Sequence, residues 1–343
     1  MRGARPLLES LVAIGVGLIA GGLLMLPFGY HPLRAYQALF QGAFGTLHDV
    51  LETLAFATPL MLTALTFGVG VRAGLFNIGA EGQMYIGAIG AVWAASFLSL
   101  PPGLHLLVAT LVAILCGALW SLVPALLKIW RGVHEVISTI MFNWIAFHLA
   151  MYLAIRYLAE PGRAERTRPA LPTARYPILA EGSTLTAVIF VAVLFCLAVY
   201  FILWGTRLGY ELRLVGENPE AARYAGVRIG WALLWSFLIG GMAAGLAGAS
   251  QIIGRPPAWS LYATLGNVAT LGFDGIGVAL VGRNHPLGGI LAAILFGALQ
   301  HGGRFMEYHA GVVSELVRAV NGLIVITLAV PELWTMLRRR LSR

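Results

Sequence analysis

The stretch Arg72-Ala-Gly-Leu-Phe-Asn-Ile-Gly-Ala-Glu-Gly-Gln83 interrupts the apolar pattern of this chain and decides how it can fold. It sets Asn77, Glu81 and Gln83 among glycines, between apolar runs that are long enough to cross a bilayer. An unpartnered polar side chain facing hydrocarbon is costly, so this stretch cannot be an ordinary lipid-facing helix. We expect a broken helix whose polar groups face protein or water.

The composition identifies lipid as the solvent for most of the chain. Of 343 residues, 59% are hydrophobic and only 11% are charged, and the mean hydropathy is +0.81. Soluble proteins carry about 25% charged residues. The net charge of +8 comes from basic residues that lie between apolar runs rather than in a patch with interleaved aromatics. It therefore indicates membrane topology and not nucleic-acid binding.

Ten stretches are candidates for membrane helices, each of which needs about 20 mostly apolar residues. The clear ones are Leu7–Phe28, Leu51–Val71, Leu104–Leu127, His134–Leu158, Thr184–Trp204, Trp231–Ile253 and Val312–Val330. Three more are rich in glycine and interrupted by polar residues: Ile78–Leu98, Tyr262–Val281 and Leu287–Gly302. Counting all of them gives about ten crossings.

The distribution of basic residues supports ten crossings with both termini in the cytoplasm. That arrangement places 14 lysines and arginines inside and 7 outside, the direction that the positive-inside rule requires. Four of the outer seven lie in one Pro- and Arg-rich loop, Glu160–Glu181. The sequence therefore predicts an all-α, polytopic membrane protein of about ten segments. We expect residues 1–343 to form a single membrane domain.

A second break lies in the other half of the chain. Leu271-Gly-Phe-Asp-Gly-Ile-Gly277 contains Asp274, and Gly282-Arg-Asn-His-Pro-Leu-Gly-Gly289 follows it. Paired, glycine-interrupted segments in corresponding halves are typical of transporters with an internal repeat. The same glycines could instead serve only close helix packing. Taken with their polar residues, the two breaks favour a two-fold pseudo-repeat whose broken helices line or gate a path.

Between Trp204 and Trp231 the chain becomes polar, which predicts a segment outside the membrane at about residues 205–230. Asn218 is a typical N-cap, with Pro219 at the first helical position and Glu220 in the first turn. Gly226 is placed to end the helix. An interfacial amphipathic helix is the alternative interpretation of this segment taken alone.

These residues resemble a known family. Glu220-Ala-Ala, followed by three residues and Gly226, is similar to the cytoplasmic coupling motif of ABC importer permeases, without the usual Ile-x-Leu-Pro continuation. Gly74–Gln83 and Val278–Gly288 resemble the branched-chain amino acid, ribose and nucleoside class of these permeases. Within that class they look most like nucleoside permeases paired with basic-membrane-protein-type receptors. The resemblance runs from about Leu51 to Val330, most of the chain.

The resemblance implies a complex in a bacterial or archaeal cytoplasmic (inner) membrane. Its expected members are ATPase subunits, a second permease subunit that is identical or non-identical, and a periplasmic or lipid-anchored solute-binding protein. The chain itself would contact membrane lipids and a small-molecule solute, and it would bind no nucleic acid. No cofactor is expected on this chain, because ATP and magnesium would bind the partner ATPase.

The resemblance and the breaks together give two sets of candidate residues. The residues expected to couple to the ATPase are Gly216, Asn218, Pro219, Glu220, Ala221, Ala222 and Gly226. The residues expected in the translocation path or gate are Asn77, Glu81, Gln83, Asn143, Phe273 and Asp274.

Three alternatives to a nucleoside permease remain open at the level of sequence. Two are permeases of the same class for monosaccharides or branched-chain amino acids. The third is an ion-coupled secondary transporter, with Glu81, Glu135, Asp274 or Glu315 carrying a proton. An enzyme is disfavoured, because the chain has no phosphate-binding Gly-x-x-x-x-Gly-Lys-Ser/Thr motif, no His-Glu-x-x-His and no Gly-x-Ser-x-Gly.

Overall fold

The computed structural model describes residues 4–313, 315–320, 322–323 and 326–327, with side chains from residue 15 onward. Its helices are α1 (Ala4–Met25), α2 (Pro32–Phe44), α3 (Leu47–Arg72), α4 (Ala80–Phe97), α5 (Leu104–Arg131), α6 (Glu135–Arg156), α7 (Val188–Gly205), α8 (Arg207–Glu217), α9 (Pro219–Tyr224), α10 (Ile229–Ile252), α11 (Leu271–Val281) and α12 (Pro286–Ala310). Two short antiparallel strands, β1 (Ala159–Glu160) and β2 (Arg163–Thr167), form a hairpin between α6 and α7.

Within the described residues, six helices are long and apolar enough to cross a membrane: α3, α5, α6, α7, α10 and α12. Two shorter apolar helices, Gly15–Phe28 and Leu271–Val281, accompany them. A mainly helical, multi-pass membrane protein is therefore confirmed. The count of ten crossings and the pseudo-repeat stay predictions, and the predicted last segment, Val312–Val330, is described only in part.

The structure departs from the predicted spans most clearly at Tyr262–Val281, which is helical only from Leu271 onward. The irregular stretch before it includes Trp259, Leu265 and Thr270 in the left-handed region. The Asn267 side chain accepts a hydrogen bond from the Tyr262 N–H at 3.1 Å and donates one to the Ser260 carbonyl at 2.9 Å. Such local side-chain bonds satisfy the backbone in a turn and compete with helix formation.

The loop Glu160–Glu181 contains the hairpin, which also pairs with the irregular stretch. The Thr167 N–H donates to the Leu261 carbonyl at 2.9 Å, and the Ala170 N–H donates to the Trp259 carbonyl at 2.7 Å. The hairpin is the only pair of named β-strands in the part of the chain that the structure describes. Arg166 pairs with Glu160 and holds the pKa of that carboxyl below its usual range.

The chain divides into two compact units, residues 1–57 with 294–343 and residues 58–293. In the first, Met25, Ala35, Leu299 and Met306 are buried in a small apolar core. In the second, α10 packs closely on α4 and α5 through small residues. A Cβ on Gly87 would lie 2.5 Å from the Gly245 Cα atom, so only glycine permits this approach.

Candidate functional site

The two predicted breaks contact each other through Glu81, in the first turn of α4. Its carboxylate accepts hydrogen bonds from the backbone N–H groups of Thr270 at 2.5 Å, Gly272 at 2.7 Å and Phe273 at 3.3 Å. The Tyr85 hydroxyl donates a fourth at 2.5 Å. The first N–H groups of a helix have no partner within the helix, and a negative charge is favourable there. Glu81 therefore caps α11, which has no side-chain cap of its own at Thr270.

Glycines in the first turns of α11 make this contact possible. A Cβ on Gly272 would lie 2.4 Å from the Glu81 nitrogen, and a Cβ on Gly275 would lie 2.4 Å from the Thr63 hydroxyl oxygen. The Thr63 hydroxyl donates to the Leu271 carbonyl at 3.0 Å. Side chains at either glycine would push α11 away from α3 and α4, so these glycines have a packing role that the backbone geometry requires.

Arg72, at the other end of the first break, holds the turn that follows α11. Its Nε donates to the Asn284 carbonyl and its Nη2 donates to the Arg283 carbonyl, both at 3.0 Å. The helix dipole favours a cation at this end and an anion at the other. Arg72 and Glu81, which both belong to the first break, thus hold the C-terminal and N-terminal ends of the short helix α11.

Asn77, Gln83 and Asn143 organise the start of α4. The Asn143 Oδ1 accepts from the Gly82 N–H and its Nδ2 donates to the Ile78 carbonyl, both at 2.8 Å. The Asn77 Oδ1 accepts from the Gly79 N–H at 3.0 Å and from the Gln83 Nε2 at 3.4 Å. The Asn77 Nδ2 and the Gln83 Oε1 are buried without a hydrogen-bond partner among the described residues.

The remaining two candidates of the path lie on the first turn of α11. Phe273 is exposed on the surface of the chain and Asp274 is half-buried. The Asp274 N–H donates to the Thr270 carbonyl at 2.8 Å, as expected for a helix start. The structure thus brings Glu81 and the Phe273 backbone together, whereas Asp274 is not part of the Glu81 contact.

The polar segment forms two helices, not one. The predicted short helix is α9, and its caps are confirmed: the Asn218 side chain accepts from the Ala221 N–H at 3.0 Å, and Pro219 is the first helical residue. Gly226 has a φ of 77°, and the Val227 N–H donates to the Ala222 carbonyl at 2.9 Å, so the helix ends in a left-handed glycine cap. Glu220 lies in the exposed first turn. The preceding helix α8 was not predicted.

Helix α8 contacts the first break through Gly216. A Cβ on Gly216 would lie 2.2 Å from the Arg72 carbonyl oxygen and 2.9 Å from the Gly74 nitrogen. Gly74 itself has a φ of 74°. The polar segment therefore packs backbone to backbone on the start of the broken stretch.

Comparison with known proteins identifies the family of this chain. Residues 50–329 match the family described as branched-chain amino acid transport system / permease component. The chain belongs to this family. No solved structure matches the chain significantly.

Among relatives of this permease, the guanosine ABC transporter permease protein NupP of Bacillus subtilis (strain 168) is 39% identical over 94% of this chain and 93% of its own length. The nucleoside ABC transporter permease protein NupB of Lactococcus lactis subsp. cremoris is 33% identical over 95% of this chain and 91% of its own. The glucose ABC transporter permease protein TsgB13 of Haloferax volcanii is 33% identical over 95% and 87%.

Sequence reasoning missed several residues of the permease site. Lys128 Nζ lies 2.7 Å from Glu135 Oε2, and Glu135 Oε1 accepts from the Phe76 N–H at 3.4 Å. This pair holds the first break where α5 ends and α6 begins. Lys128 is the only lysine of the chain, and opposite charges at the facing ends of consecutive helices were a usable signal. No sequence signal pairs Tyr85 or Arg72 with its partner.

The carboxylates of the site take part in hydrogen bonds and ion pairs. In the part of the chain that the structure describes, no three His, Cys, Asp or Glu side chains come together as metal ligands. Among the carboxylates of the ion-coupled alternative, Glu81 caps α11, Glu135 pairs with Lys128, and the exposed Glu315 pairs with Arg318 at 3.5 Å. A proton carrier needs a carboxylate that is free to titrate, and these contacts oppose that role.

Proposed function

We propose that this chain is the membrane-spanning permease subunit of an ABC importer and that it forms the translocation path for a nucleoside. The observation that carries the proposal is the joining of the two broken segments at Glu81, in a family of permease components. Relatives that are named as guanosine and nucleoside permeases, similar over nearly the whole chain, support the choice of solute.

The proposed gate is α11 together with the start of α4. A half-helix whose N-terminus is capped by a carboxylate from another helix would separate from that helix by breaking the hydrogen bonds of the cap. Asn77, Gln83 and Asn143 would line the path on the α4 side, and Phe273 and Asp274 on the α11 side. Solute groups would meet the polar atoms of these residues when the two breaks separate.

The proposed architecture is a single permease domain of residues 1–343 with about ten crossings and both termini in the cytoplasm of a bacterium or archaeon. The coupling segment, residues 205–230, would dock on an ATPase subunit through α9. The chain would be non-catalytic and hold no cofactor, with ATP and magnesium on the ATPase. A second permease, identical or not, and an external solute-binding protein would complete the complex.

A monosaccharide is the second candidate solute. A relative named as a glucose permease, 33% identical over 95% of this chain, favours it. A branched-chain amino acid has weaker support, which comes from the family description alone. The polar gate residues do not discriminate, because amide and carboxylate groups bind sugar hydroxyls as well as base edges.

Uptake by the complete complex in liposomes tests the proposal. Labelled guanosine, uridine, ribose, glucose and leucine are offered with ATP inside and the solute-binding protein outside. Nucleoside uptake that needs ATP is the expected result. Uptake of glucose or leucine without uptake of a nucleoside would show that the transported solute is a sugar or an amino acid. Uptake that follows an ion gradient without ATP would contradict the assignment as an ABC importer.

A further inference from the structure

The C-terminal ends of α3 and α7, helix α8 and the turn after α11 meet at one cluster of four side chains: Arg72, Trp204, Arg213 and His285. The Arg72 and Arg213 guanidinium carbons lie 5.6 Å and 5.7 Å from the centre of the Trp204 ring. The His285 ring centre is 4.5 Å from that of Trp204. Both guanidinium groups are within the distance at which a cation is attracted to an indole face.

Each of the four side chains belongs to a different part of the proposed mechanism. Arg213 lies on α8, the helix directly before α9, and α9 would dock on the ATPase. Trp204 ends α7. Arg72 begins the first break and donates to the carbonyls of Arg283 and Asn284. A displacement of α8 therefore has a continuous path of contacts to the turn that ends α11, whose other end is capped by Glu81.

The turn at the end of this path has features of an element that moves. Arg283 and Asn284 both have positive φ angles, 55° and 51°, which are unfavourable for side-chain-bearing residues. The two hydrogen bonds from Arg72 hold this backbone in place. Asn284 also has a buried Oδ1 without a hydrogen-bond partner among the described residues. A small cavity, lined by Ala64, Gly68, Leu203, Ala279, Asn284 and Gly289, lies beside the turn.

We propose that Trp204 and Arg213 are positioning residues that carry movement of the coupling segment to α11, through Arg72 and the 283–285 turn. This inference rests on the proposed function and adds the route by which the ATPase would act on the gate. The close backbone contact of Gly216 with Arg72 makes α8 and the first break move together, and the Trp204 cluster extends that movement to the second break.

The test compares three variants of the complete complex in nanodiscs and liposomes. Trp204→Leu removes the π face while keeping an apolar side chain, and Arg213→Gln removes one cation while keeping most of the stem. Arg207→Gln is the matched control, because Arg207 is on the same helix, is 91% exposed and pairs only with Glu211 in the next turn. Solute imported per ATP hydrolysed is measured together with hydrogen exchange at residues 282–289.

Loss of the Arg213 cation should lower the solute imported per ATP about tenfold, the order expected for one partly buried cation–π contact. Loss of the π face removes two such contacts and should lower it further. ATP hydrolysis should persist. The change in exchange that trapped nucleotide causes at residues 282–289 should disappear. Trp204→Phe, which restores a π face, should recover coupling. Either of two results would overturn the proposal. The first is an equal loss of uptake and ATP hydrolysis in Trp204→Leu that Trp204→Phe does not recover. The second is an unchanged effect of trapped nucleotide on exchange at residues 282–289 in Arg213→Gln.

Failure of the proposed function is distinguishable from failure of this route. If the wild-type complex imports none of the solutes, exchange in the nanodisc-embedded permease alone decides the route. Trp204→Leu must then accelerate exchange at residues 282–289, and Arg207→Gln must not. Equal exchange in both variants would refute the route independently of any solute.

Discussion

Replacing Glu81 by Gln tests the contact that joins the two breaks. The carboxylate accepts four hydrogen bonds, with Thr270 and Tyr85 on Oε1 and with Gly272 and Phe273 on Oε2. Glutamine offers one acceptor oxygen and turns an NH2 group towards two of the donors. At least two of the four bonds are therefore lost, whichever way the amide is oriented.

The magnitude follows from those bonds. A hydrogen bond to a charged group contributes about 1.5–3 kcal/mol, so two of them contribute roughly 3–6 kcal/mol. Glutamine also removes the cost of burying a charge, which is several kcal/mol and offsets part of the loss. We expect a net weakening of about 2–3 kcal/mol, that is, an open population of the α11 N-terminus raised about 30- to 150-fold.

Hydrogen exchange measures this opening directly, because Gly272 and Phe273 supply two of the N–H groups. In nanodiscs the amides of residues 270–274 should exchange faster by the factor given above. Tyr85→Phe, which removes one bond and keeps the charge, should give a smaller acceleration of about tenfold. Glu307→Gln, at an exposed carboxylate on α12, is the control. Wild-type exchange at residues 270–274 in a folded Glu81→Gln protein would refute the capping role.

Four further predictions concern the coupling segment, the topology and pH. Gly226→Trp should abolish uptake and receptor-stimulated ATP hydrolysis. Gly226→Ala carries the same left-handed strain of about 1–2 kcal/mol without the bulk, and it should retain much of both activities. If the two variants had equal activities, the ATPase contact would lie elsewhere. Asn218→Ala should cost about 1 kcal/mol of local helix stability and reduce coupling less than Gly226→Trp does, as measured by uptake per ATP. A reporter active only outside the cell, fused to Arg343, should be silent, and activity there would exclude a cytoplasmic C-terminus. Burial, and secondarily the charge of Arg72, lower the pKa of His285. The stabilising effect of His285 is therefore present above its unfolded-state pKa of about 6.5 and is lost as pH falls. The drop in melting temperature between pH 7.5 and 5.5 should shrink in His285→Gln, and an unchanged drop would contradict this prediction.

The sequence by itself determined the features that depend on local or periodic signals. Apolar runs of sufficient length predicted the membrane helices, because hydrocarbon requires them whatever their neighbours are. The caps of α9 were also predicted, because Asn218, Pro219 and Gly226 act on the backbone of their own helix within a few residues. The two breaks were visible as polar and glycine residues in apolar surroundings.

Only the tertiary structure decided what the breaks contact. Glu81 and the α11 amide groups are about 190 residues apart, and Arg72 is 211 and 212 residues from the carbonyl groups it binds. A carboxylate or guanidinium in such a stretch needs a partner, but many groups satisfy this need equally well. Backbone N–H and C=O groups are nearly the same in every residue, so the sequence does not show which of them serve as partners. The same reason hid the Trp204 cluster. Which partners meet is fixed by close helix packing through glycines such as Gly216 and Gly272, whose lack of a side chain matters only once the neighbouring backbone is in place.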